Sequence, residues 1–285
     1  MKSGRRPAIP GLIVADRAQP MPELPDPLPP GVEVCYDARG DLLAYCRAGN
    51  GALRVDVPDL ASFSYERGAS HVRAIPHRAL PPEVVLETYH HCVLPMILPA
   101  LGTEVLHASA VLTSRGVVAL CGGSGTGKST LAFGLSRRGY LAWADDAVAL
   151  DLSEPVARAV PLPFEMRLRP ASASFFGSAA REVASAPREP APLGALCILT
   201  RVSEPEAQVT VERLPAGSAF AALFAHAYSF SVDLERKQRM IERYLSLTAR
   251  VQVFEIRFVV GLDRLPAVLD GIERVIDGQP TELPR

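Results

Sequence analysis

The chain has 285 residues, 48% of them hydrophobic and 21% charged, with a formal net charge of −1. That length and apolar content suit one large domain or two small ones with a real core. The near-neutral balance excludes bulk electrostatic attraction to nucleic acid or to an anionic membrane. The cysteines at 35, 46, 92, 121 and 197 are odd in number and form no C-x-x-C pair, the pattern of reduced thiols in a cytoplasmic protein.

Residues 1–30 begin with Lys2, Arg5 and Arg6, but the apolar stretch from Ile9 to Ala15 is too short for a signal sequence and is broken by Pro10. Pro20, Pro22, Pro25, Pro27, Pro29 and Pro30 crowd the rest of this segment, so an extended or mobile tail is expected. Between Gly31 and about Leu80, short β-prone runs predict strands at Val32–Tyr36, Leu42–Arg47, Leu53–Val57 and Val72–Pro76. Asp37-Ala38-Arg39-Gly40 and Ala48-Gly49-Asn50-Gly51 supply turns between them. With a linking helix over Glu83–Leu94, these make a small β-rich subdomain of residues 31–100 whose sequence names no ligand. His90-His91-Cys92 is not read as a metal site, because adjacent helical residues point in different directions. Pro95 and Pro99 interrupt the apolar run Val93–Leu101, and no uninterrupted span of membrane length occurs.

The third segment, 101–285, carries the chemistry. Gly122-Gly123-Ser124-Gly125-Thr126-Gly127-Lys128-Ser129 satisfies the phosphate-loop pattern G-x-x-x-x-G-K-[ST] and is followed by Thr130. An apolar run, Val117–Cys121, precedes it as a buried strand. Leu131, Leu135 and Arg138 come after it at helical spacing. Strand, glycine loop and helix are the context the motif requires: the loop N–H groups and the helix N-terminus converge on phosphate oxygens. In this pattern Lys128 reaches the β- and γ-phosphates and Ser129 offers its hydroxyl to Mg²⁺. Gly139 ends the helix, and Tyr140–Ala144 re-enters the sheet as a short strand with Asp145-Asp146 at its carboxyl end. A carboxylate pair so close to the loop suggests one group for the metal and one to take a proton from an attacking hydroxyl.

Further along, Ser178–Pro192 is a loop rich in alanine, proline and charge, read equally as a flap over an acceptor site or a plain surface loop. Strands at Leu193–Thr200 and Gln208–Arg213, helices at Ala216–Ala227 and Asp233–Thr248, a strand at Val251–Phe258 and a helix at Leu265–Ile276 complete the pattern. Arg201, Arg213, Arg236 and Arg239 are the cations available to neutralise phosphate charge.

The run Leu106-His107-Ala108-Ser109-Ala110-Val111, the glycine loop, the Arg138-Gly139-Tyr140 turn and Ala144-Asp145-Asp146 together resemble the catalytic domain of HPr kinase/phosphorylase. They are closer to its smaller relatives, which include kinases of lasso-peptide precursors. The resemblance implies an α/β phosphate-loop kinase domain with a mixed or parallel sheet flanked by helices. It makes Asp146 the proton acceptor, Lys128 the γ-phosphate contact, Ser129 a Mg²⁺ ligand and His107 a polar group beside the reacting phosphate. Phe164-Glu165-Met166-Arg167 with Phe175-Phe176-Gly177 partly resembles the family's second signature, which would add Glu165 to Asp145 and Ser129 as metal ligands. The expected Arg-Gly is Arg167-Leu168 here and Pro170 interrupts, so the resemblance implies a kinase without phosphorylase activity.

The expected function is therefore transfer of the γ-phosphate of ATP, with Mg²⁺, to a serine hydroxyl of a protein or peptide such as a ribosomal-peptide precursor. No nucleic acid or membrane partner is expected, and a homo-oligomer is left open. A kinase of a small metabolite hydroxyl and a regulatory ATP-binding protein are the alternatives.

Overall fold

The computed structural model describes residues 9–21, 23–24, 27–36, 40–49, 52–177, 189–204, 208–229 and 234–279. It is a mixed α/β protein that divides into two compact units, one of residues 1–103 and 228–238 and one of residues 104–227 and 239–285.

The first unit is built on a six-stranded sheet. Its strands are β1 (Gly11–Val14), β2 (Val32–Tyr36), β3 (Leu42–Gly49), β4 (Ala52–Val57), β5 (Ala61–Glu66) and β6 (His71–Pro76), in spatial order β1-β6-β5-β4-β3-β2. From β2 to β6 the strands form an antiparallel meander, while β1 lies parallel to β6. The stretch expected as a proline-rich tail thus contributes a strand, because Gly11–Val14 precedes the proline cluster and finds an open sheet edge at β6. Strand β5 is an addition to the expected set, although Ala61-Ser62-Phe63-Ser64-Tyr65-Glu66 alternates apolar and polar residues as a strand does. The helical segment is longer than expected: α1 (Pro82–Thr88) passes through a π turn, Tyr89–Val93, into α2 (Leu94–Ala100). Pro95 and Pro99 lack the N–H groups an α-helix needs, and the widened turn comes just before them. His90 and His91 sit on that turn.

The second unit carries the glycine loop. Strands β7 (Glu104–Leu106), β8 (Ala108–Thr113) and β9 (Gly116–Cys121) are followed by helix α3 (Lys128–Arg137), β10 (Leu141–Ala144), β11 (Val148–Asp151) and β12 (Arg158–Val160). Then come α4 (Pro170–Phe176), β13 (Ala191–Val202), β14 (Thr210–Arg213), α5 (Ala216–Phe224), α6 (Leu234–Arg250), β15 (Gln252–Val259) and α7 (Leu265–Asp277). The part of the flap-or-loop stretch from 178 to 188 lies outside the described residues.

The central strands run in the order β10-β8-β9-β13-β15-β14. Strands β9, β13 and β15 are mutually parallel, β8 is antiparallel to β9, and β10 is antiparallel to β8. The carboxyl ends of β9, β10, β13 and β15 and the amino end of β8 therefore share one edge of the sheet. Strands β12, β11 and β7 extend the sheet from the start of β13 through antiparallel pairs. The expected run Leu106–Val111 is thus split: β7 pairs with β11, β8 pairs with β9, and His107 lies between them.

Helices α3 and α7 cover one face of the central sheet. Leu131 and Leu135 of α3 and Leu269 and Ile272 of α7 pack with Val118, Leu120, Cys197 and Ile256 of the strands. Gly134 lets the helices meet closely, since a Cβ there would lie 2.9 Å from Leu269 Cδ1 and push that side chain aside. Pro170 begins α4 rather than breaking a motif, at a first-turn position where a missing N–H costs nothing.

Candidate functional site

Strand β9 is wholly buried and delivers its carboxyl end into the loop of residues 122–127, which turns directly into α3. Gly125 (φ +79°) and Gly127 (φ +102°) hold left-handed conformations that L side chains resist. Gly122 is crowded instead, since a Cβ there would lie 2.6 Å from Thr126 Oγ1. The Thr126 hydroxyl donates to the Gly123 carbonyl at 2.7 Å and braces the turn.

Lys128 is almost fully buried, and its ammonium donates to the carbonyls of Gly122 at 2.9 Å and Gly123 at 3.2 Å. Burial pushes its pKa down, against the opposing pull of Asp146, Cys121 and Asp145. Around it opens a cleft of about 470 Å³ lined by the loop from Ser124 to Thr130, by His107 and Asp146, and by Arg167, Arg169 and Arg201. The Arg201 guanidinium donates to the Gly125 carbonyl, and that of Arg169 reaches the Ser124 hydroxyl at 3.4 Å. Three arginines and one lysine thus line the cleft beside the glycine loop, the electrostatics of a polyanion site.

The two aspartates have different surroundings. A bulge in β10 between Ala142 and Ala144 re-aims the strand just before them. Asp145 is buried and accepts from the Ser109 hydroxyl at 2.6 Å and the Arg167 N–H at 3.0 Å, with the Ser129 hydroxyl a further donor. Burial raises its pKa, and the neighbouring Asp146 adds to the effect. Asp146 has φ +63°, and the Ala147 N–H closes onto the Asp145 carbonyl at 2.8 Å, so Asp146 is the centre of a γ-turn, a rare and strained conformation. The turn sends consecutive carboxylates in different directions: Asp145 back to Ser109, Asp146 into the cleft. The Ser129 hydroxyl and Asp145 carboxylate form a pair of hard oxygen donors, chemistry suited to Mg²⁺. Among the described residues, no group of three or more His, Cys, Asp and Glu side chains is arranged to hold a metal ion.

His107 caps the gap between β7 and β8, its backbone N–H bonded to the His226 carbonyl at 2.8 Å. Burial, with help from Lys128 and His226, pulls its imidazole down to about 4, so it is uncharged at neutral pH. His226 is shifted down as well, by burial and Lys128.

The structure thus brings His107, the loop, Lys128, Ser129, Thr130 and Asp146 to one cleft, with Asp145 in contact beneath. Glu165 is not among the residues lining it and is exposed; the segment is anchored to the site two residues later, through the Arg167 N–H. Of the four arginines considered in sequence, Arg201 lines the cleft and Arg213, Arg236 and Arg239 do not. Arg236 is buried in the first unit, its Nε donating to the Pro99 carbonyl at 2.7 Å. Sequence reasoning passed over Arg169 and His226, since an isolated arginine or histidine carries no local pattern.

No protein-family model matches the chain, and no curated protein matches it. Among solved structures, the chain is similar to the Hpr(Ser) kinase/phosphatase from Coxiella burnetii, with 14% sequence identity and a TM-score of 0.34. That match covers 61% of this chain and 88% of the other, and it is a distant structural neighbour.

Proposed function

We propose that the chain is a kinase that uses ATP and Mg²⁺ to phosphorylate a hydroxyl, a serine of a protein or peptide being the acceptor class we favour. The observation that supports this most is the sharing of one cleft by Lys128, Ser129 and Asp146: a cation and a hydroxyl on a glycine loop, facing a carboxylate held in a strained turn. A strained residue over a phosphate-type loop fits a catalytic group better than a packing one.

In this reading the loop amides and Lys128 hold the triphosphate, with Arg169 and Arg201 close enough to share its charge. Ser129 and Asp145 would hold Mg²⁺, which would supply neutralisation of phosphate charge. Asp146 accepts the proton of the acceptor hydroxyl and aligns its oxygen with the γ-phosphate. His107, kept neutral, offers a hydrogen bond without adding charge.

Asp146→Asn is the direct test. Asparagine matches aspartate in size and shape, so the backbone demand at this position is unchanged while the base is lost. ATP–Mg²⁺ binding should stay near wild type while phosphate transfer to serine peptides slows by roughly 10²–10⁴-fold. Undiminished transfer by the variant would sink the role of Asp146. Wild-type turnover of small alcohols or sugars with no peptide phosphorylated would reassign the acceptor class.

A further inference from the structure

We propose that the cleft's apolar end, formed by Phe258, Val260, Leu262 and Leu265, is the subsite for the nucleotide's base. The proposal rests on reading the glycine loop as the triphosphate site and adds where the rest of the ligand lies.

The strand order supplies the direction. The glycine loop follows β9, at the centre of the shared edge. On one flank, β8 begins just after His107 and β10 ends just before Asp145 and Asp146. On the other flank lie β13, which bears Arg201, and β15, whose end runs into the turn 260–264 and then α7. The proton-accepting side and the apolar side therefore lie on opposite sides of the loop. A triphosphate laid over the loop with its terminal phosphate toward Asp146 carries its nucleoside toward β15.

That end of the cleft has the chemistry a base needs. Phe258 and Leu265 are buried and line it. Val260 is 53% exposed at the lip, and Leu262 is half-buried beside it. Between them Gly261 adds no side chain of its own, and the Asp263 carboxylate packs against it where a Cβ would sit. Two turn bonds, Arg264 N–H to the Gly261 carbonyl at 3.2 Å and Leu265 N–H to the Leu262 carbonyl at 3.3 Å, hold the lip in place. An exposed valine continuous with a polyanion site is apolar surface that a stacked heterocycle would remove from water.

The test compares ATP with inorganic tripolyphosphate by calorimetry in the presence of Mg²⁺, on wild type and on Val260→Asn. The exposed position makes the substitution safe for folding, and Leu262→Ala is a second variant at the same lip. Wild type should bind ATP at least about tenfold more tightly than tripolyphosphate. Each variant should lose about that factor for ATP, which corresponds to ~1.4 kcal/mol, and nothing for tripolyphosphate. Equal wild-type affinity for the two ligands, or equal losses for both in the variants, would overturn the subsite while leaving the triphosphate loop intact. Binding of neither ligand to wild type would overturn both.

Discussion

The charge state of His107 can be read from stability against pH. In the folded protein burial, Lys128 and His226 bring its pKa from 6.5 to about 4. At ~1.36 kcal/mol per pKa unit, that depression corresponds to roughly 3 kcal/mol of stability. The sign comes from proton counting. Between about 4 and 6.5 the unfolded chain binds a proton at this histidine that the folded chain refuses. The contribution is present in full above pH 6.5, declines as the pH falls, and is gone below about 4. His226 shifts in the same direction and Asp145 in the opposite one, so the wild-type curve alone is a composite. Subtracting the curve of His107→Gln isolates the residue, since glutamine keeps hydrogen-bonding capacity without a titration. Urea unfolding free energies measured at intervals from pH 7.5 to pH 4.5 give both curves. The wild type should lose about 2–3 kcal/mol more than the variant over that range. Parallel curves, or an imidazole resonance of His107 titrating near its ordinary value, would refute both the burial argument and the picture of a neutral histidine beside Lys128.

Individual contacts set the remaining expectations. Lys128→Ala should weaken ATP–Mg²⁺ binding and abolish transfer, as seen by calorimetry and labelled-ATP assay; a variant that still turns over would remove Lys128 from the phosphate contact. Ser109→Ala takes a 2.6 Å hydrogen bond from a buried carboxylate and should cost roughly 1.5–3 kcal/mol in chemical denaturation, with no loss meaning that Asp145 finds another donor. Gly125→Ala forces a side chain into φ +79° with its Cβ 3.1 Å from the Arg169 guanidinium, so nucleotide affinity should fall more than stability, which calorimetry beside thermal melts would reveal. At the γ-turn, Asp146→Gly should be about 1 kcal/mol more stable than Asp146→Ala, because only glycine adopts that backbone freely; equal melting points would mean the turn relaxes.

What the sequence determined by itself was local. The order strand, glycine loop, helix over 117–138 comes from hydrophobic periodicity and from glycines whose left-handed angles other residues resist. The helix-ending Gly139 and the acidic pair after the next strand were legible for the same reason, as were Val32–Tyr36 and the closing strand and helix, whose periodicity is strong. Tertiary structure decided everything that depends on a partner far along the chain. Strands β11 and β12 exist because a neighbouring edge supplies hydrogen bonds their short sequences do not announce. The break at His107 arises because β7 and β8 answer to different partners, β11 and β9. Among the arginines, only packing could choose: Arg201 faces the loop because β13 runs beside β9, whereas Arg236 is spent on a helix-end carbonyl. The assignment of the two aspartates also lay beyond sequence. Adjacent residues with the same side chain become a buried, hydrogen-bonded carboxylate and a cleft-facing one through a γ-turn and a bulge, and the bulge and the Ser109 bond to Asp145 form only when the sheet assembles.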